Sequence, residues 1–159
     1  KKKVKQAPKP HRILLQAIVN ALQVIFTENK YADKVIEKTL KENSKFGGRD
    51  RRFVAETTYD IVRNYRLLNH LTKNADNYWE ILGAHFILKH IHLPPEREFK
   101  DLNEKAILDA QKALNNQAVL QSYPDWLWDL CSKELGAAQW ETEAKALNHQ
   151  AKVVLRVNI

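Results

Sequence analysis

The residues between Lys45 and Arg52 have the types and the spacing of an anion-binding segment. Two adjacent glycines, Gly47 and Gly48, are followed at once by three arginines within four residues. Glycine lets backbone N–H groups approach an anion, and a helix that begins here presents a partial positive charge at its N-terminus. Arginine grips a phosphate with two parallel hydrogen bonds. The segment therefore predicts a site for the phosphate groups of RNA.

The helix predicted after these glycines carries more basic residues at helical spacing. Seven-residue steps place four residues along one side: Arg52, Tyr59, Arg66 and Lys73. Glu56, Arg63 and His70 are interleaved with them. The alternative is a hydrated face whose charges pair with one another, since charged helix faces are usually solvated. The pairs expected in that case are Arg52 with Glu56 and Arg63 with Asp60.

The distribution of charge favours the same region. The chain has a formal net charge of +7, but residues 1–12 hold six basic and no acidic residues, which leaves +1 for the remainder. Within that remainder, residues 45–73 carry a net charge of +4. Residues 1–10 are predicted to form a basic flexible tail. The candidate RNA contacts are His11, Arg12, Lys45, Arg49, Arg51, Arg52, Arg63, Arg66 and Lys73.

Apolar residues recur at three- and four-residue steps through almost the whole chain, which predicts a mainly α fold. The helices are expected at about 11–29, 31–41, 50–71, 78–91, 103–117, 126–135 and 139–149. Ser122 to Asp125 has the form of a capping box that starts the sixth of these. Residues 153–159 form the first β-type run, and a lone strand cannot bury its face. The chain is therefore expected to include the truncated start of a second domain.

Residues that could do other chemistry are sparse. His85, His90 and His92 lie at steps of five and two, which do not share a helical face, so no metal site is predicted. Cys131 is interpreted as a core residue. The four tryptophans are interpreted as packing residues rather than stacking platforms for bases. No P-loop, dinucleotide loop, nucleophile elbow or paired-acid motif is found.

Length and composition set broad limits. The 159 residues suit one domain and part of another. No apolar run approaches the roughly twenty residues that cross a bilayer, so no membrane contact is expected. A single cysteine fits a reducing compartment, and the cytoplasm is the expected location.

Two sets of residues resemble one protein family. The first is the string Gly48-Arg49-Asp50-Arg51-Arg52-Phe53-Val54-Ala55-Glu56, followed by Tyr59 and Ile61-Val62-Arg63. The second comprises Tyr123-Pro124-Asp125-Trp126-Leu127, Glu134-Leu135-Gly136, Trp140, Ala146-Leu147-Asn148 and Leu155-Arg156-Val157-Asn158. Together they resemble the N-terminal region of the Sun/Fmu family of ribosomal RNA cytosine-5 methyltransferases. The resemblance covers about residues 10–159.

The resemblance implies a NusB-like RNA-binding helical bundle at residues 11–118, followed at 119–159 by two helices and a first β-strand that begin the methyltransferase N-terminal subdomain. It implies ribosomal RNA and the protein's own C-terminal methyltransferase domain as partners. S-adenosylmethionine would be bound by that later domain, and no catalytic or cofactor residue can be assigned within this chain. Its first helix departs from NusB proteins, where an arginine cluster is usual and only His11 and Arg12 stand here.

Two other functions remain open. A NusB-like transcription antitermination module would bind RNA and a protein partner, and its natural chain would end near residue 120. A structural helical domain would dock on its own catalytic domain, making the basic stripe an intramolecular interface. The second alternative predicts little salt-dependent affinity for RNA.

Overall fold

A computed structural model describes residues 10–74 and 77–149, and it confirms that this part of the chain is mainly α-helical. The chain forms two compact units, and the boundary between them lies between Ala113 and Leu114. No β-strand is found in the described ranges, and the strand predicted at 153–159 lies outside them. The helices of the first unit are α1 (Arg12–Thr27), α2 (Ala32–Glu42), α3 (Gly48–Arg63), α4 (Tyr65–Thr72), α5 (Tyr78–Leu88), a short 3-10 helix (Arg97–Phe99) and α6 (Glu104–Ala113).

Helices α1 and α2 form where the apolar periodicity predicts them. In α1 the expected apolar stripe comprises Ile13, Leu14, Ala17, Ile18, Ala21, Leu22 and Ile25, and all of these except Ile13 are buried. This stripe packs on α2 through Ile25 and Val35. Ile13 was expected on the same stripe but is 62% exposed, because it lies in the first turn at the end of the packed face.

The prediction of a single long helix at 50–71 is wrong. The chain forms two helices there, α3 and α4, with a break at Asn64. The Asn64 backbone leaves the helical region at φ −103° and ψ 16°. Its side-chain Nδ2 donates to the Asp60 carbonyl at 2.8 Å. Such local hydrogen bonds from asparagine compete with helix continuation, which accounts for the break.

Helix α5 is the centre of the first unit. All seven residues from 81 to 87 are buried, so the helix is covered on every side and has no polar face. A Cβ at Gly83 would overlap Leu102 Cδ1 and come within 3.1 Å of the Phe99 ring, so the glycine permits this close packing.

The end of α5 was predicted near Ile91, but the helix ends at Leu88. His90 has the left-handed φ of 54°. Its N–H donates to the Ile87 carbonyl at 3.0 Å, and the Ile91 N–H donates to the Phe86 carbonyl at 2.8 Å. This pair of bonds is a Schellman motif, which terminates the helix before Pro94.

The second unit contains α7 (Gln117–Leu120), α8 (Asp125–Leu135) and α9 (Ala137–Leu147). The helix expected at 103–117 ends earlier, at Ala113, and a separate helix follows it. Asn116 caps that helix, α7, by accepting from the Val119 N–H at 3.1 Å. Around Trp140, which is buried, Tyr123 and Trp128 pack with ring centroids at 5.3 and 5.7 Å.

Helix α8 does not begin at the capping box predicted from Ser122. Helix α8 starts only after Pro124, which is its N-cap, and Ser122 has a left-handed φ of 58°. A capping box would require Tyr123 to be helical, but the residue before a proline is driven to extended conformations. Gly136 ends α8 as predicted, with φ 85°.

Helix α8 has no buried residue, so the prediction that Cys131 is a core residue is also wrong; Cys131 is half-buried. Large apolar side chains of this unit are exposed at Trp126, Leu130, Leu135 and Leu147. In the described part of the chain, every helix is too short or too polar to cross a membrane.

Candidate RNA-binding surface

The N-terminus of α3 is open to an anion. Gly47 is its N-cap and supplies no side-chain hydrogen bond to the first-turn N–H groups. A Cβ added to Gly48 would meet no atom within 4 Å, so a ligand can come close to the backbone there. One negative group is near: Asp50 Oδ2 lies 3.8 Å from the position of a Cβ on Gly47. A phosphate would approach on the side away from this carboxylate.

Five of the nine predicted RNA contacts lie exposed on this loop and on α3 and α4. They are Lys45, Arg49, Arg52, Arg63 and Lys73. Arg49 stands in the first turn of α3, beside the uncapped N–H groups. The partial positive charge of the helix N-terminus and the charge of the Arg49 guanidinium therefore lie side by side. Both would attract a phosphate oxygen placed next to this end of α3.

Arg51 has a structural contact. Its Nη1 donates to the Leu40 carbonyl at 2.8 Å, near the C-terminal end of α2. The bond satisfies a helix-terminal carbonyl and joins α2 to α3. Arg51 is half-buried, and the guanidinium keeps other N–H donors, but its position is set by α2.

The predicted ion pair between Arg52 and Glu56 is present, with Nε and Oε1 2.8 Å apart. The Glu56 carboxylate raises the pKa of Arg52 through this hydrogen bond. Both side chains are exposed, where ion pairs contribute little to stability and are screened by salt. A phosphate would compete with this carboxylate for the guanidinium. Asp60 instead pairs with Lys89, its Oδ2 lying 3.0 Å from Nζ.

The break at Asn64 divides the stripe predicted from seven-residue steps. Arg52, Tyr59 and Arg63 belong to α3, whereas Arg66 belongs to α4. Arg66 is half-buried and interacts with other groups of the chain. Lys73 ends α4 in a left-handed conformation with φ 55°. Only the exposed cations of α3 therefore lie on one continuous helix, as the predicted stripe requires.

Arg12 lies in a network that the sequence did not indicate. Its guanidinium bonds to Glu96 and, at 2.5 and 3.0 Å, to Glu98, and it lies 5.2 Å from the centre of the Trp79 ring. Arg12 holds the pKa of Glu98 down to about 2, and the two carboxylates raise the pKa of Arg12. A phosphate at Arg12 must compete with both. His11, the N-cap of α1, is exposed.

A cleft of about 440 Å³ borders this network, lined by Trp79 and by three carboxylates, Glu80, Glu98 and Asp101, with Arg97 among the other lining residues. The excess of negative charge makes the cleft unsuited to phosphate. The surroundings of Arg12 are therefore negatively charged, unlike the other sites expected to bind RNA.

The histidines are dispersed. His85 is buried in α5, and burial lowers its pKa to about 4. His90 and His92 are exposed beyond the end of that helix. Among the residues that the structure describes, no three His, Cys, Asp or Glu side chains gather as metal ligands would.

Comparison of the chain with protein-family models, with curated proteins and with solved structures finds no match. The exposed cations of the loop and α3, together with the open helix N-terminus, form a surface able to bind a polyanion.

Proposed function

We propose that the first unit binds RNA through phosphate contacts made by the loop before α3 and by the outward face of that helix. The observation that carries the proposal is the exposure of Arg49, Arg52 and Arg63 on one helix whose N-terminus has no side-chain cap. Segment 45–73 has a net charge of +4, so a polyanion is attracted to this part of the molecule.

The proposal extends to the parent protein. The chain would be the NusB-like, RNA-binding N-terminal portion of an S-adenosylmethionine-dependent ribosomal RNA cytosine-5 methyltransferase of the cytoplasm, recruiting or orienting ribosomal RNA for a separate catalytic domain. The two motif strings support this family. Exposed apolar side chains in the second unit, Trp126 and Leu130 among them, support packing against that domain. We assign no catalytic or cofactor-binding role to any residue of this chain.

A second candidate is a helical domain that docks on its own catalytic domain without holding RNA. The ion pair of Arg52 with Glu56 and the network around Arg12 favour it, because these arginines already have carboxylate partners. Salt dependence separates the two candidates. Phosphate binding releases counterions along the RNA, and a helical domain without an RNA role has no such dependence.

Replacing Arg49 and Arg52 with alanine should flatten the salt dependence of RNA binding. Each lost phosphate contact lowers the slope of log affinity against log salt by about 0.7 on single strands, so the double variant should lose about 1.4. The measurement is a titration of a ribosomal RNA fragment at several salt concentrations, with the wild-type chain as reference.

The matched control is Lys105→Ala with Lys112→Ala on α6, which removes the same charge from exposed positions of the same unit. The control should lower the slope much less than the arginine variant. Equal effects of the two variants would show that net charge, and not the α3 surface, determines binding. A wild-type slope near zero would overturn RNA binding and support docking.

A further inference from the structure

Tyr59 is an exposed aromatic residue on the basic helix face. Its relative exposure is 47%, although Val54 and Ile61 of the same helix are fully buried. The ring contacts of the first unit involve Phe26, Phe53, Tyr65, Tyr78, Trp79, His85, Phe86 and Phe99. Tyr59 takes part in none of those contacts between described residues. Core packing therefore does not account for an aromatic ring at this position.

The neighbours of Tyr59 along α3 are charged and exposed. Arg63 lies four residues after it, one helical turn away, and Arg52 lies seven residues before it, about 10 Å along the axis. Glu56, three residues before it, is the carboxylate paired with Arg52. The ring is thus flanked along the helix by two guanidinium groups that are both solvent-accessible.

We infer that Tyr59 stacks on an unpaired base of the bound RNA, and that this unit consequently prefers single-stranded loops or ends to duplex. The inference rests on the proposed phosphate binding by α3. Aromatic side chains stack on bases whose faces are open, whereas the bases of a duplex are already stacked on one another. Arg52 and Arg63 would hold the phosphates on either side while the ring holds the base.

Two other exposed aromatic residues lack this setting. Tyr31 is 82% exposed at the N-cap of α2, before the helix begins, and the cations next to it are lysines, Lys30 and Lys34, rather than arginines. Trp126 is 68% exposed on α8, with Asp125 and Asp129 in the same helix. Neither ring lies on a helix face between two arginines, which could grip the phosphates next to a stacked base.

The test compares a single-stranded ribosomal RNA fragment with the same fragment annealed to its complement. Tyr59→Ala should weaken binding of the single strand by about 5- to 150-fold, the loss of one stacked base. Its affinity for the duplex and its salt slope should be unchanged, because no phosphate contact is removed. Tyr59→Phe keeps the ring and should bind like the wild type, whereas Tyr59→Leu keeps apolar bulk alone and should behave like Tyr59→Ala.

Tyr31→Ala is the control for loss of an exposed tyrosine and should change neither affinity. If Tyr59→Ala and Tyr59→Leu bind the single strand as the wild type does, while the arginine variant still flattens the slope, stacking is wrong and phosphate binding stands. If both variants lose single-strand and duplex affinity equally, base stacking is also wrong. A wild-type chain without salt-dependent binding would overturn both proposals together.

Discussion

Phe86→Ala should lower the free energy of unfolding of the first unit by about 3–5 kcal/mol. The Phe86 side chain is completely buried in α5. Its ring lies between Phe53 and Phe99, with centroids 6.4 and 6.3 Å away, and it meets Phe99 edge to face. Truncation removes the buried surface and leaves a cavity, because close-packed neighbours relax only in part.

The measurement is urea unfolding followed by the amide NMR signals of α5, so that the first unit is observed separately from the second. Ile13→Ala is the control, since Ile13 is a large apolar residue of the same unit that is exposed. Its effect should stay within about 0.5 kcal/mol. If the two variants unfold at the same urea concentration, α5 does not form the centre of the core.

Stability should fall by up to about 3 kcal/mol as the pH is lowered from 6.5 to 4, because His85 is buried without its proton. Burial lowers the pKa of His85 to about 4; nearby Asp60 partly offsets this shift, and Lys89 adds to it. The unfolded chain takes up the proton below its ordinary pKa of 6.5, whereas the folded chain does so only near 4. His85 therefore does not reduce the stability of the fold well above pH 6.5, and it reduces that stability progressively as the pH falls from 6.5 to 4.

The pH series should be compared with that of His85→Leu, which cannot titrate. Carboxylates with lowered pKa values, such as Glu37 and Glu98, affect both curves alike, so the difference between them isolates His85. His92→Gln changes an exposed histidine and should retain the wild-type pH dependence. Parallel curves for the wild type and His85→Leu would contradict the prediction.

The helical periodicity was enough to predict that the chain is mainly helical and to locate α1 and α2. Their apolar stripes alternate with polar residues, so the buried face can be identified from sequence alone. The breaks within the predicted helices were not evident, because they depend on single asparagine side chains. Asn64 bonds to the Asp60 carbonyl, and Asn116 caps α7.

The contacts of the candidate site were predictable only where they are local. Arg52 and Glu56 are four residues apart, and their ion pair was expected from helix geometry. The pairing of Arg12 with Glu96 and Glu98 spans more than eighty residues, too far for helix geometry to predict it. Arg51 likewise bonds to a carbonyl eleven residues away, through the packing of α2 on α3.

The complete burial of α5 also determines how the first unit opens. Backbone amides of residues 81–87 have no solvent-facing side, so their hydrogens should exchange with deuterium only when the whole unit unfolds. The first turn of α3 is exposed at Gly48 and Arg49, and a helix end of this kind can fray by itself. The surface proposed to bind RNA would thus adjust locally to its ligand, while α5 stays folded during every partial opening of the unit.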